Sequence, residues 1–254
     1  MLLAVDVGNT HTVLGLYDGD KLVHDFRIES SRSRTVDEHH VLLRNLLDIA
    51  GIERESVNGS ILASVVPALG EVIARAVKLA FGHDMLVVGP GIKTGMPILY
   101  ENPREVGADR IVNAIAAYER VHGAVIVVDF GTATTFDCIS PKGEYLGGAI
   151  APGIQISADA LFSRAAKLPR TEIAQPPKAI GRNTIHSMQA GIVFGYVGLV
   201  DGLVERIRTE IGAPCRVIAT GGLASLIRPL SHTIEEVDEF LTLAGLRILH
   251  ERNA

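Results

Sequence analysis

The chain has no tryptophan, only two cysteines and no run of basic residues. The two thiols, Cys138 and Cys215, show no metal-ligand spacing, so both are expected to be buried or unremarkable side chains. With a net charge of −5 and no basic stretch, a nucleic-acid-binding surface is not expected. The opening residues begin apolar but meet Asp6 almost at once, so a signal peptide is not expected. No uninterrupted apolar stretch reaches ~18 residues, so no membrane span is expected. The nine histidines form neither an HExxH pair nor a zinc set, and His39-His40 reads as a helix-surface pair. Neither GxGxxG nor GxxxxGK[ST] occurs, which disfavours the Rossmann and P-loop phosphate cradles. These absences point to a soluble cytoplasmic protein that must hold any anionic substrate with local dipoles, metal ions and a few placed cations.

What is present is a chain of 254 residues, 47% apolar, long enough for one large domain or two half-size ones. Alternation and turn signals predict strands at 2–7, 11–17 and 21–29, with Asp18-Gly19 in the second turn. A helix is expected at 35–50, with Leu42, Leu43, Leu46, Leu47 and Ile49 on its apolar face. A strand at 61–66, a helix at 69–81 and a strand at 85–88 follow, then a Gly- and Pro-rich loop over 89–105. A second set of strands is expected at 124–130, 134–139 and 145–150, with a further short strand at 216–219. Helices are expected at 154–166, 186–211 and 237–250. The two strand sets resemble each other. AVDVGNTHTVLGLYDGDKLV aligns without gaps to VVDFGTATTFDCISPKGEYL, placing Asp6 on Asp129, Gly8 on Gly131 and Thr12 on Thr135. Such self-similarity is the mark of an internal duplication.

The duplicated segments carry chemistry. Asp6-Val7-Gly8-Asn9-Thr10 closes a strand and enters a turn, where successive N–H groups and short polar side chains can surround phosphate oxygens. A carboxylate at the strand end suits a magnesium ion or its waters. Asp129-Phe130-Gly131-Thr132 offers the same parts, and Gly147 to Gly153 leads into a helix whose N-terminal dipoles favour an anion. Ala219-Thr220-Gly221-Gly222 is suited to a nucleobase and ribose lying against backbone. Tyr100 to Arg110 ends the long loop and starts a helix, with Asp109 in the first turn. There the macrodipole favours carboxylate over acid, which weakens the base.

DVGNT, YENPREVGADR, DFGTATT, GGAIAPG, IGRNT and ATGG occur here in the order found in type III pantothenate kinases, and the chain resembles that family over essentially its whole length. The resemblance implies an α/β, duplicated ribonuclease-H-like fold of the actin-like ATPase type. Two similar halves, 1–117 and 118–254, would flank a cleft. It implies transfer of the ATP γ-phosphoryl group to the 4′-hydroxyl of pantothenate, the first step of coenzyme A synthesis. By position, Asp6, Val7, Gly8, Asn9, Thr10, His11, Thr12 and Val13 would form the first ATP loop, and Thr132 would contact ATP from the second. Asp129 would bind a monovalent cation, K+ or NH4+, while Asp6 would face Mg2+ through water. Tyr100, Gly107, Ala108, Asp109, Arg110 and Thr184 would contact pantothenate, with Asp109 as proton acceptor. The family also implies a homodimer, for which Gly191, Gly195, Gly198 and Gly202 provide a close-packing stripe on the 186–211 helix.

Two other readings remain open on the residues: a nucleotide-binding regulator without turnover, and an actin-like phosphotransferase for a sugar or carboxylic acid. Intact Asp6, Asp109 and Asp129 speak against the first. The YENPREVGADR segment has no reason to appear in the second.

Overall fold

The computed structural model describes residues 1–165 and 167–254. The chain forms two compact units: Met1–Met96 with Glu101–Ala116 and Leu241–Ala254, and Pro97–Tyr100 with Ala117–Phe240.

In the first unit, β1 (Leu2–Val7), β2 (His11–Asp18), β3 (Lys21–Glu29), β4 (Gly59–Ser64) and β5 (Leu86–Val87) form a sheet in the order β3-β2-β1-β4-β5. The central strand LLAVDV is buried along nearly its whole length and pairs parallel with β4, which explains the apolar run Leu2–Val5 before Asp6. Helix α1 (Val36–Ala50) begins on a reciprocal cap in which Thr35 accepts from the Glu38 N–H and Glu38 returns the bond to the Thr35 N–H. Helix α2 (Pro67–Phe81) has proline in its first turn, where no helical N–H is lost. Val5, Val7, Leu14, Leu43, Leu47, Leu62 and Ile73 share one core.

The face of α1 differs from the expectation. Ile49 is 77% exposed, whereas His39 is buried at 3% exposure. The core stripe runs 39, 43, 47 at four-residue spacing, and Ile49 lies about 200° around the helix from Leu47. His39 is therefore no surface residue. Its Nε2 is buried without a hydrogen-bond partner, and burial, then the charge of Arg34, lowers its pKa.

In the second unit, β6 (Val125–Phe130), β7 (Ala133–Ile139), β8 (Tyr145–Pro152), β9 (Arg216–Thr220) and β10 (Glu236–Val237) form a sheet in the order β10-β9-β6-β7-β8. Read from β8, this order repeats the first sheet strand for strand, with two antiparallel pairs followed by two parallel ones in each. The duplication is thus built into the topology, and the fold is the duplicated α/β one. The gapless alignment needs one correction. Val7 pairs with Thr12, and the equivalent Phe130 pairs with Thr134 rather than Thr135. The second hairpin is one residue shorter at its tip, so Thr134 is the counterpart of Thr12.

Helix α3 (Ala108–Val121) lies between the sheets in sequence, α4 (Ile154–Arg164) follows β8, and α5 (Thr184–Ile211) runs 28 residues. The expected helix to 166 ends at Arg164, and Ala166 lies outside the described residues. The Asn183 side chain caps α5 by accepting from the His186 N–H at 2.8 Å. This helix is long and apolar enough to cross a membrane by length and composition, a property that a search for unbroken apolar runs does not detect. A little under half of its most apolar stretch is buried, as in a core helix packed along one face. Val193, Tyr196, Val200 and Val204 enter the second core beside Phe136, Ile154 and Val217. The short α6 (Ala224–Ile227) follows β9. The expected helix over 237–250 begins later, as α7 (Leu241–Asn253), because Val237 pairs with Ala219 in β10. Helix α7 belongs to the first unit, where Leu243 packs against Gly15 and Gly245 against the Val112 backbone.

Candidate functional site

Asp6 sits one residue before the end of β1, half-buried, in register with Val13 on β2 and Ala63 on β4. The turn after it closes through the Gly8 N–H, which donates to the His11 carbonyl at 3.0 Å. Asn9, Thr10 and His11 are exposed at the tip, while Val13 is half-buried. Thr12 is buried, and its hydroxyl pairs with that of Ser30 at 2.9 Å, so Thr12 braces the loop from beneath. The Ser30 N–H also donates to the Thr10 carbonyl at 3.0 Å. These bonds lay 30–32 along the loop and bring the Arg32 Nη2 within 3.4 Å of the Asn9 Oδ1. Arg32 is a cation at the first loop that motif reading missed; an arginine in a serine-rich stretch gives no signal until the pairing of β2 with β3 is known.

The second loop is held more tightly. Asp129 is half-buried, in register with Thr135 and Thr220. Gly221 has φ +90°, and a Cβ there would lie 2.7 Å from both the Asp129 Oδ1 and the Phe130 backbone. The glycine after β9 thus makes the close approach that forms a cradle around the carboxylate. Gly222, by contrast, faces open space. Thr132 is exposed at the tip, and its carbonyl accepts from the Gly153 N–H at 3.1 Å. That bond occupies an N–H at the start of α4 that the sequence reading left for an anion. A Cβ on Gly153 would overlap the Thr132 carbonyl, so only glycine allows the two turns to meet.

The Tyr100–Arg110 motif is divided between the units, with Tyr100 in the second and Gly107 to Arg110 in the first. The stretch before Tyr100 is laced to β8: Tyr145 donates its N–H to Pro97 and accepts at its carbonyl from Leu99, both at 2.8 Å. Tyr145 is fully buried and donates its phenol to the equally buried Asp137 at 2.8 Å, which fixes the lacing residue from within. The Tyr100 ring packs over Gly147. Farther along, Asn102 caps a short turn at Pro103–Glu105 that leads into α3. Asp109 is half-buried, and its Oδ1 accepts the Arg110 N–H at 2.8 Å. Burial raises its pKa, and it outweighs the opposing pull of that N–H and of the Arg110 charge. The expectation from the helix dipole is therefore reversed: desolvation wins, and Asp109 is a stronger base than an ordinary aspartate. Gly107 and Ala108 are half-buried, and Arg110 is buried at 8% exposure.

Thr184, the first residue of α5, is exposed beside an open cleft of about 720 Å³ in the second unit. Its walls include Ser157, Leu161, Arg182, Met188 and Tyr196. Neither cysteine is in a disulfide: Cys138 is buried and Cys215 half-buried, and burial pushes the Cys215 thiol up to about 11. Among the described residues no group of three or more His, Cys, Asp or Glu gathers as a metal cage.

A sequence model of the family described as type III pantothenate kinase matches residues 2–206. A type III pantothenate kinase of Myxococcus xanthus is 59% identical over 253 residues, covering 100% of this chain and 99% of that protein. One from Geobacter sulfurreducens is 60% identical over 253 residues, with 100% and 99% covered. Among solved structures, an inorganic polyphosphate/ATP-glucomannokinase from Arthrobacter sp. strain KM superposes with a TM-score of 0.52 at 14% identity, covering 100% of this chain and 99% of that one. This last likeness bears on the fold alone.

Proposed function

The chain belongs to the type III pantothenate kinase family, and we propose that it transfers the γ-phosphoryl group of ATP to the 4′-hydroxyl of pantothenate, opening coenzyme A synthesis in the cytoplasm. The observation that carries this reading is identity near 60% along the full length of enzymes bearing that name. The duplicated Asp-x-Gly hairpins supply the parts such chemistry needs.

In this reading the backbone around Asp6, Gly8, Asn9 and Thr10 and the exposed Thr132 hold the ATP phosphates. Thr12 works as a brace, since its hydroxyl is engaged by Ser30. Tyr100, Gly107, Ala108, Arg110 and Thr184 hold pantothenate. Asp109 accepts the hydroxyl proton, and its raised pKa moves it toward the range where a carboxylate is a useful base. The loose transition state of phosphoryl transfer asks mainly for positioning and charge neutralisation.

A divalent ion fits this donor set. Magnesium keeps much of its water and needs only one or two protein carboxylates, so Asp6 without a surrounding cage suffices. The cradle that Gly221 leaves around Asp129 Oδ1 suits a K+ or NH4+ ion. When bound, these cations neutralise the phosphate charge. The expected halves at 1–117 and 118–254 correspond, in this reading, to the two units with two segments exchanged: 241–254, which carries α7, belongs to the first unit and 97–100 to the second. The exposed Gly191, Gly195 and Gly198 on α5 face open space and form the close-packing surface of a homodimer.

ADP release measured with pantothenate and a panel of sugars and carboxylic acids tests the function. Pantothenate should be preferred strongly. Equal rates without regard to acceptor, or no release at all, would overturn the reading.

A further inference from the structure

Tyr196 stands on α5, far in sequence from either phosphate loop, yet its phenol reaches the turn that carries the second one. Its oxygen lies 2.9 Å from the Pro152 carbonyl and 3.1 Å from the Gly153 carbonyl. The Ser157 hydroxyl is 2.5 Å away. One phenol hydrogen can be shared between the two carbonyls, and the phenol oxygen then accepts from Ser157. The ring itself is buried at 9% exposure in the core of the second unit, so the hydroxyl is presented by a rigid element. Gly153 in turn donates its N–H to the Thr132 carbonyl at 3.1 Å and has no space for a side chain against that strand tip.

We propose that Tyr196, assisted by Ser157, is a positioning residue for the second phosphate loop, fixing Thr132 through the carbonyls of Pro152 and Gly153. The proposal rests on the assignment of Thr132 to ATP. Tyr196 and Ser157 also form part of the cleft wall beside Thr184, so one hydroxyl network borders the cleft and holds the loop. A group entering the cleft and bonding Ser157 competes directly for the hydroxyl that Tyr196 uses. Thr132 is exposed, and its carbonyl is held by the Gly153 N–H, with the Tyr196 phenol bonded to the Gly153 carbonyl behind it.

The test is Tyr196→Phe, which keeps the packed ring and removes only the hydroxyl, with Ser157→Ala as the milder companion. Steady-state kinetics are read beside amide hydrogen exchange of Gly153, whose N–H makes the bond to Thr132. Tyr196→Phe should raise the KM for ATP about fivefold to tenfold, as loss of one or two hydrogen bonds implies. The KM for pantothenate should change less than twofold, and Gly153 exchange should quicken. Ser157→Ala should shift the same quantities by a smaller factor. A purely structural tyrosine would lower melting temperature while leaving ATP KM and Gly153 exchange untouched, and that result overturns the proposal. Faster Gly153 exchange with an unchanged ATP KM overturns instead the ATP assignment of Thr132, and the proposal with it.

Discussion

Gly221 faces Asp129 so closely that a Cβ on the glycine would stand 2.7 Å from the carboxylate Oδ1. The same backbone has φ +90°, a conformation an L side chain adopts only with strain. Gly221→Ala should therefore displace the aspartate or the β9 turn. We expect a fall of at least tenfold in kcat/KM for ATP, with a loss of about 1–3 kcal/mol in stability from the strained residue. Circular dichroism melts together with kinetics check both, and an alanine variant with wild-type ATP kinetics would show that the cradle is not used.

Asp129 in that cradle should make activity depend on the monovalent salt. Replacing sodium by potassium or ammonium at fixed ionic strength and fixed magnesium should raise turnover severalfold. Asp129→Asn should remove the difference between the salts. Equal rates for the wild type in all three would remove the cation from the site.

Asp109 offers a test with two readouts. Asp109→Asn retains an oxygen to accept the Arg110 N–H and removes the carboxylate proposed as proton acceptor. Turnover should fall about 10²–10⁴-fold, or roughly 3–5 kcal/mol of barrier. Stability should move the other way. A carboxyl whose pKa is raised in the folded state binds its proton more tightly there, so stability is full below its usual 3.8 and is lost as pH rises through the folded pKa. At neutral pH the charged form is the strained one, and the amide variant should melt no lower than the wild type. The acid limb of kcat/KM should lie above the range of ordinary aspartates. Less than a threefold loss in turnover would make Asp109 structural.

His39 gives the opposite linkage. Its pKa is lowered in the fold, so the unfolded chain takes up the proton first, and stability falls as pH drops below its usual 6.5. Its orphan Nε2 has no partner to lose. His39→Leu should stabilise the protein, by about 1–3 kcal/mol if the whole penalty of the unsatisfied nitrogen is relieved, and the gain should be larger at pH 5.5 than at pH 7.5. Denaturant melts at the two pH values check this; an equal or reversed change would point to a bound water at Nε2.

Helix α5 should mediate dimerisation. Light scattering at micromolar concentration should give twice the monomer mass, and Gly195→Leu should shift the population to monomer. A fully active wild-type monomer would exclude this face as an interface.

Much of this was legible in the sequence because it rests on local patterns. The Asp-x-Gly hairpins, the helical period of α1 and the glycine-ended strands each follow from a few adjacent residues. The parts that were not legible depend on what meets them in space. Ile49 and His39 exchanged their expected places because α1 has more apolar positions than its core face can bury. Val237 became a strand because β9 offered an open edge, a fact no helical periodicity contains. The sign of the Asp109 shift needed the depth of its burial, since the dipole and Arg110 argued the other way. Arg32 and Tyr196 reach their loops through partners 23 and 43 residues distant, beyond any motif.

The two units will also mature on different schedules during synthesis. The second is a nearly continuous stretch, Ala117–Phe240 with Pro97–Tyr100, and it can close as soon as β10 emerges from the ribosome. The first holds most of the earlier residues but waits for α7, whose Leu243, Gly245 and His250 pack on Gly15, Val112 and Gly59. The half translated first is thus finished last, and until then the side of its sheet that receives α7 stays bare, open to chaperones and to premature pairing with other nascent chains.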